Sequence, residues 1–198
     1  MSRTVYYIRH GETDWNVAGR LQGQRDIPLN ARGEGQALHC GQVLRDLFQR
    51  DGIDSNSLAY VSSPLIRARR TMALLRGALE LPPDNYETDD ALSEITFGEW
   101  EGFTIAQLHE RDPQRMAQRE HDKWAFVPPG GESYAMVSAR MRVWHQALTR
   151  DTVVTAHGGT ARGLIAYLGI AQPAAAPLID IAQGVVYVFR GNAMTRYA

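Results

Sequence analysis

Apolar residues fall into two alternating spacings along the chain. Val5-Tyr6-Tyr7-Ile8 is a short unbroken run, β-branched and aromatic, as in a strand covered on both faces. Similar runs over 58–62, 152–156 and 185–189 predict further strands, 86–88 a short one, and 193–197 a return strand at the sheet edge. Between them the apolar positions recur at helical spacing. Helices are expected over 31–50, with Asn30 as N-cap, and over 65–79, 132–149 and 159–168. Ser63-Pro64 is expected to open the second of these, since proline is tolerated in a first turn. Shorter polar helices are expected over 104–111 and 114–123, and Leu81-Pro82-Pro83 and Pro128-Pro129-Gly130-Gly131 read as stops. Residues 11–28 and 84–102 read as loops. Strands alternating with helices predict an α/β sandwich with a mostly parallel sheet.

Composition narrows the picture. A chain of 198 residues without repeat or low-complexity linker fits a single domain, 1–198. A formal net charge of −1 gives no global attraction to nucleic acid or anionic membrane, so anion recognition has to come from a local basic cluster. The single cysteine excludes an internal disulfide, and no Cys/His group has zinc-ligand spacing. Cys40 also fails as a phosphatase nucleophile: the five residues after it lead to Asp46, where such a loop needs arginine. It sits among Leu38, Val43, Leu44 and Leu47 and reads as core. With no charged-then-apolar leader and no membrane-length apolar run, a cytoplasmic location is expected. Gly33-Glu34-Gly35 begins like a dinucleotide fingerprint, but it lacks the third glycine and follows no strand.

Four segments carry chemistry. Ligands of open α/β sheets sit at the carboxyl ends of strands. Two such ends hold a histidine followed by glycine: Arg9-His10-Gly11 and His157-Gly158-Gly159. Alone, Arg9-His10-Gly11 fits equally a solvated strand end or a nucleophile beside an anion-holding cation. The second His-Gly turn tips the balance, because the glycines let backbone amides approach a ligand. In Ser62-Ser63-Pro64-Leu65-Ile66-Arg67, a strand ends and a helix begins with Arg67 in its first turn, where guanidinium and free amides favour an anion together. Arg69 and Arg70 read as a solvated helix face. The fourth segment, Leu92–Gly102, joins carboxylates to aromatics and glycines. Its Glu94, Glu99 and Glu101 are not ranked by chemistry alone.

With these segments in order, the chain resembles the histidine phosphatase superfamily, also called the phosphoglycerate mutase-like family. Arg9-His10-Gly11-Glu12-Thr13-Asp14-Trp15-Asn16, Ser63-Pro64-Leu65-Ile66-Arg67-Ala68, Leu92-Ser93-Glu94 through Glu101-Gly102, Pro129-Gly130-Gly131-Glu132-Ser133 and Ala156-His157-Gly158-Gly159 carry the resemblance. It implies a three-layer α/β/α sandwich with a mostly parallel central sheet and an antiparallel edge strand. It also implies roles: His10 as phosphoryl acceptor and Glu94, rather than Glu99 or Glu101, as general acid and base. Arg9, Arg67 and His157 would clamp the phosphate, with Asn16, Gln22, Gly23 and the Gly158 amide assisting. No metal or other cofactor is implied, since fixed guanidinium groups can neutralise the charge of a phosphoryl transfer. The same cations favour a neutral His10 imidazole.

The stretch Gly19–Leu29 resembles the phosphatase branch, and a short chain offers little material for a mutase lid. The expected function is hydrolysis of a small phosphomonoester. A 2,3-bisphosphoglycerate-dependent mutase is the alternative, and a non-enzymatic phospho-ligand-binding scaffold the second. The expected partner is a small phosphorylated metabolite, with no nucleic acid and no membrane; a homodimer is left open. Residues 100–130 are expected to form a substrate-selecting insertion, in which Arg115, Arg119, His121, Lys123 and Trp124 are either contacts or a solvated wall. Arg70, where relatives often have glutamine, is expected to share the pocket mouth with Arg67 and to favour a second anionic group on the substrate.

Overall fold

A computed structural model describes residues 3–198 of the chain. Strands β1 (Val5–Arg9), β2 (Ala59–Ser62), β3 (Glu87–Thr88), β4 (Thr152–Ala156), β5 (Val186–Arg190) and β6 (Ala193–Tyr197) form one sheet in the order β3-β2-β4-β1-β5-β6. The first four are mutually parallel, β5 runs against β1, and β6 returns antiparallel to β5 at the edge. The sheet is therefore mostly parallel with an antiparallel edge, as expected.

Each central strand divides its side chains between two cores, because successive Cβ atoms point to opposite faces. Val5, Tyr7, Val154, Ala156, Tyr187 and Phe189 join one core with helices α6 (Tyr134–Gln146) and α7 (Gly158–Tyr167). Tyr6, Ile8, Val153, Val186 and Val188 join the other, against α2 (Ala31–Asp51) and α3 (Ile66–Ala78). This double burial explains why the strands read as continuous apolar runs, and it makes the three layers. Cys40 is buried in the second core, where burial pushes its thiol up to about 12, so it is inert.

Element ends follow local chemistry. Asn30 caps α2, its side chain accepting from the Gly33 amide at 2.9 Å. Helix α3 begins later than its proline suggested: Pro64 precedes the N-cap Leu65, and Asp26 supplies the missing cap by accepting from the Ile66 amide at 2.6 Å. The loop after β1 holds a short helix, α1 (Asp14–Val17), whose capping box joins Thr13 and Asn16. Its polar residues hid the element from periodicity. At the β1 end, a Cβ on Gly11 would overlap the Gly33 carbonyl, so the close approach of this loop to α2 requires glycine. Helices α4 (Ile105–Arg111) and α5 (Pro113–His121) pack on a small separate cluster of Trp100, Leu108 and Met116, extended by Phe126 stacked on Trp100.

Candidate active site

Three adjacent parallel strands, β2, β4 and β1, end at the same rim of the sheet, and each delivers one reactive segment there. The ladder continues one residue beyond two of them: the His10 amide donates to the Ala156 carbonyl and the Ser63 amide to the Thr155 carbonyl, both at 2.9 Å. Neighbouring strands thereby bring His10 and His157 together, their ring centroids 5.1 Å apart. The two His-Gly turns are indeed on neighbouring strands.

His10 is 2% exposed, and both ring nitrogens are engaged. Nδ1 lies 2.7 Å from the Gly11 carbonyl oxygen, and Arg67 Nε donates to Nε2 at 3.3 Å. A carbonyl accepts and a guanidinium donates, so the two contacts select one tautomer: Nδ1 carries the hydrogen and Nε2 the lone pair. Burial, then the charges of Arg67 and Arg9, hold the imidazole pKa well below its ordinary value. The ring is thus neutral, with its lone-pair nitrogen facing the cation beside it.

Arg67 is completely buried, and among the described residues no carboxylate forms an ion pair with it. Its guanidinium is oriented by backbone carbonyls, Nη1 donating to Arg25 at 2.6 Å and Nη2 to Gly23 at 2.7 Å. The residue 22–25 loop therefore fixes the direction of Arg67. That loop is in turn pinned by Glu101, whose Oε1 accepts from the Gln24 amide at 3.1 Å and the Thr96 hydroxyl at 2.9 Å, with Arg25 paired to Oε2 at 3.4 Å. Glu101 is a structural tie between two loops.

His157 is also fully buried, and burial followed by Arg67, His10 and Arg9 keeps its pKa well below the ordinary value. Its Nε2 shares a 2.7 Å hydrogen bond with the Ser63 hydroxyl, while Nδ1 is buried without a partner. The backbone of His157 is braced by Tyr7, whose hydroxyl donates to the His157 carbonyl at 2.8 Å and lies 2.6 Å from the Thr160 hydroxyl. Arg9 donates from Nη1 to the Ile181 carbonyl at 2.7 Å and leaves its buried Nε unpartnered. Unpartnered polar atoms inside a protein are uncommon and point to something that binds them. Two such atoms are found here, on Arg9 and His157; Arg9 Nε is 3.7 Å from where a Cβ on Gly158 would stand, and the Gly158 amide, which opens α7, has no intrahelical acceptor.

Of the three carboxylates in the fourth segment, Glu94 alone joins this group. Its Oε1 accepts from the Gly159 and Ile95 amides, both at 2.9 Å, and it acts electrostatically on both Arg9 and Arg67. Glu99 is exposed. A Cβ on Gly159 would overlap the Glu94 carboxylate, so this second glycine gives the acid its place. The other residues expected around a phosphate are more mixed in their surroundings. Asn16 commits Oδ1 to Thr13 and to Gln183 Nε2 at 3.0 Å, leaving its Nδ2 to donate. Gln22 is buried with Oε1 unpartnered, and Gly23 offers its carbonyl to Arg67, so its contribution runs through that side chain. Arg70 pairs with Glu34 of α2 at 2.8 Å, both side chains about half exposed.

Sequence reasoning missed Arg162. Its Nη1 lies 3.3 Å from where a Cβ on Gly158 would stand, with Arg9 Nε at 3.7 Å from the same point. The available signal was spacing: Arg162 is four residues after Gly158, one helical turn on, on the same face. Among the described residues, no group of three or more His, Cys, Asp or Glu is placed to hold a metal ion, and no helix is long and apolar enough to cross a membrane.

Residues 5–195 match the profile of the histidine phosphatase superfamily (branch 1). The chain is 31% identical to the 2,3-bisphosphoglycerate-dependent phosphoglycerate mutase of Methylobacterium radiotolerans, across 100% of this chain and 94% of the relative. It is 35% identical to the glucosyl-3-phosphoglycerate phosphatase of Mycobacterium tuberculosis, across 84% and 75%. The solved structure of mycobacterial glucosyl-3-phosphoglycerate phosphatase superposes with a TM-score of 0.79 at 30% identity, covering 95% of this chain and 90% of that one.

Proposed function

Because the chain belongs to the histidine phosphatase superfamily, we propose that it hydrolyses small phosphomonoesters through a phosphohistidine on His10. The observation that carries this reading is the fixed tautomer of His10, a buried neutral imidazole whose Nε2 lone pair points at Arg67. When a phosphate enters, the Arg67 Nε–H passes from His10 Nε2 to a phosphate oxygen, which frees the lone pair to attack. The P–Nε2 bond forms as the ester P–O bond breaks, and Glu94 gives its proton to the departing alkoxide. Water then attacks phosphorus, Glu94 takes a proton from it, and the P–Nε2 bond breaks to release inorganic phosphate. Arg9, Arg67, His157 Nδ1 and the Gly158 amide hold the three oxygens over which charge spreads. These groups are already oriented by protein carbonyls and hydroxyls, so little reorganisation accompanies the reaction.

The relatives favour two activities. Several full-length relatives are named mutases, while the phosphatase-named relative is more nearly identical over a shorter span. The short Gly19–Leu29 loop and the small α4–α5 insertion support hydrolysis, since a mutase has to keep water from its phosphohistidine. The test is a phosphate-release screen over metabolite esters, including 3-phosphoglycerate with 2,3-bisphosphoglycerate. Phosphate release without isomerisation, an acid-labile phosphoprotein on quenching, and loss of both in His10→Ala support the proposal. Isomerisation without release selects the mutase, and no turnover of any ester selects a binding role.

A further inference from the structure

The sheet leaves an opening at its β3 edge, away from the phosphate clamp. Strand β3 is two residues long and pairs only Val61 and Ser62, so β2 has no strand beside Ala59 and Tyr60. The gap is a cavity of about 510 Å³, walled by Arg76 of α3 on one side and by Trp144 of α6 with the 147–150 turn on the other. It lies at the starts of β2 and β4, where Ala59 and Thr152 line it, whereas His10 and His157 follow the carboxyl ends of their strands. Helix α3 reaches both places: Arg67 stands in its first turn and Arg76 in its last, about 14 Å apart along the axis.

Arg76 is the group that asks for a ligand. It is 4% exposed, yet among the described residues no carboxylate pairs with it, and Tyr60 is the only side chain that acts on it electrostatically. Its guanidinium is oriented without being neutralised. Nε donates to the Pro82 carbonyl at 2.8 Å, and the group lies over the Tyr60 ring, 4.3 Å from the centroid. That ring is itself tied down, its hydroxyl donating to the Ser55 carbonyl at 3.1 Å. Among the described residues Nη1 and Nη2 make no hydrogen bond. Burial lowers the Arg76 pKa, so the charge is kept there against a desolvation cost.

The other charges on the lining leave this fork free. Arg150 is exposed and, among the described residues, also forms no ion pair. Glu87 and Asp89 line the cavity too, but neither pairs with an arginine, and Asp89 accepts from the Ala91 amide at 2.9 Å. An oriented guanidinium with both terminal nitrogens unused matches an oxyanion taken bidentately.

We propose that this cavity is a second ligand site, separate from the clamp, for a small organic anion whose phosphate or carboxylate head is taken by Arg76, with Arg150 as the outer cation. Its size falls within the range of about 300–1,000 Å³ usual for small-molecule sites. Asn85 and Thr149 on the lining suit a hydroxylated body, as in a sugar phosphate or sugar acid. No residue of the clamp takes part, so the site stands or falls apart from the phosphatase reading.

Amide NMR titration tells the two places apart, and His10→Ala protein keeps the ester from being consumed. The probes are glucose 6-phosphate, glucuronate and, as the neutral control, glucose. Tyr60, Asn85 and Arg150 amides are expected to shift saturably with one or both anions at a Kd below about 1 mM, and not with glucose; the tighter anion names the head group. Arg76→Lys keeps a charge over Tyr60 but loses the fork, so cavity affinity should fall by about tenfold or more. Arg150→Gln, at an exposed position, should weaken it severalfold. Any shifts of Gly11 and Gly158 at the clamp should be the same in both variants. No saturable cavity shift with either anion, equal binding of glucose, or affinity unchanged in both variants overturns the site. Cavity shifts that follow protein concentration instead of ligand assign this edge to a second copy of the chain and overturn it as well. Cavity binding without any shift at Gly11 or Gly158 supports the site and counts against the clamp alone.

Discussion

Acidification should destabilise this fold through its two central histidines, by an amount that can be worked out. His10 and His157 are buried and neutral, with folded-state pKa values held well below the ordinary one by burial and by Arg67 and Arg9. Protonating His10 would set an Nε2–H against the Arg67 Nε–H, and protonating His157 would add a charge beside the same cations. The unfolded chain takes up both protons near pH 6.5, while the native state takes up neither until well below it. The sign follows: a depressed histidine pKa contributes stability that is complete above about pH 6.5 and is lost as pH falls. With both rings still neutral in the native state at about pH 5.5, each costs about 1.4 kcal/mol there, so the pair costs about 2.7 kcal/mol relative to about pH 7.5.

That is a large share of a typical stability of about 5–15 kcal/mol. Urea unfolding at several pH values measures it, and a doubly substituted His10→Gln/His157→Gln protein cancels contributions from every other titrating group. The wild type should lose about 2.7 kcal/mol more than the double variant between those two pH values, and either single variant should recover about half. Parallel stability profiles for wild type and double variant would refute the claim that these rings are neutral when folded. Ring-carbon NMR shifts that titrate near pH 6.5 would refute it independently.

Three further outcomes test the division of labour in the site. Glu94→Gln should slow hydrolysis of alkyl phosphates by about 10²–10⁴-fold but p-nitrophenyl phosphate far less, because its leaving group departs without a proton; equal losses for both esters would remove Glu94 as the acid. Gly159→Ala, whose Cβ would overlap the Glu94 carboxylate and crowd Ile95, should reproduce that leaving-group dependence in a weaker form and lower the melting temperature. Arg67→Lys keeps the charge yet cannot reach His10, Gly23 and Arg25 together, so kcat should fall by about 10² or more, as for loss of one preorganised donor to a developing anion. An Arg67→Lys protein of near-normal kcat would mean that charge alone suffices.

The sheet was legible because both of its faces are buried. Val5–Ile8 and Thr152–Ala156 read as strands since every residue is buried and the apolar ones are divided between the two cores, so double burial leaves runs with no exposed polar alternation. His10, Arg67, Glu94 and His157 were legible for a related reason: each stands within a few residues of a glycine or a helix start, which local sequence records. What escaped was set by long-range backbone contacts that leave no mark on residue type. The Gly23 and Arg25 carbonyls aim Arg67 across more than forty residues, and Asp26 caps α3 where Pro64 had suggested a different start. Arg162 is the sharpest instance. In sequence it is one polar residue on a largely apolar helix, but the Ile179 carbonyl turns it toward the clamp, between Arg9 and Lys123. The residues at the strand ends are written in motifs, whereas the direction of Arg162 depends on which carbonyl a later loop presents.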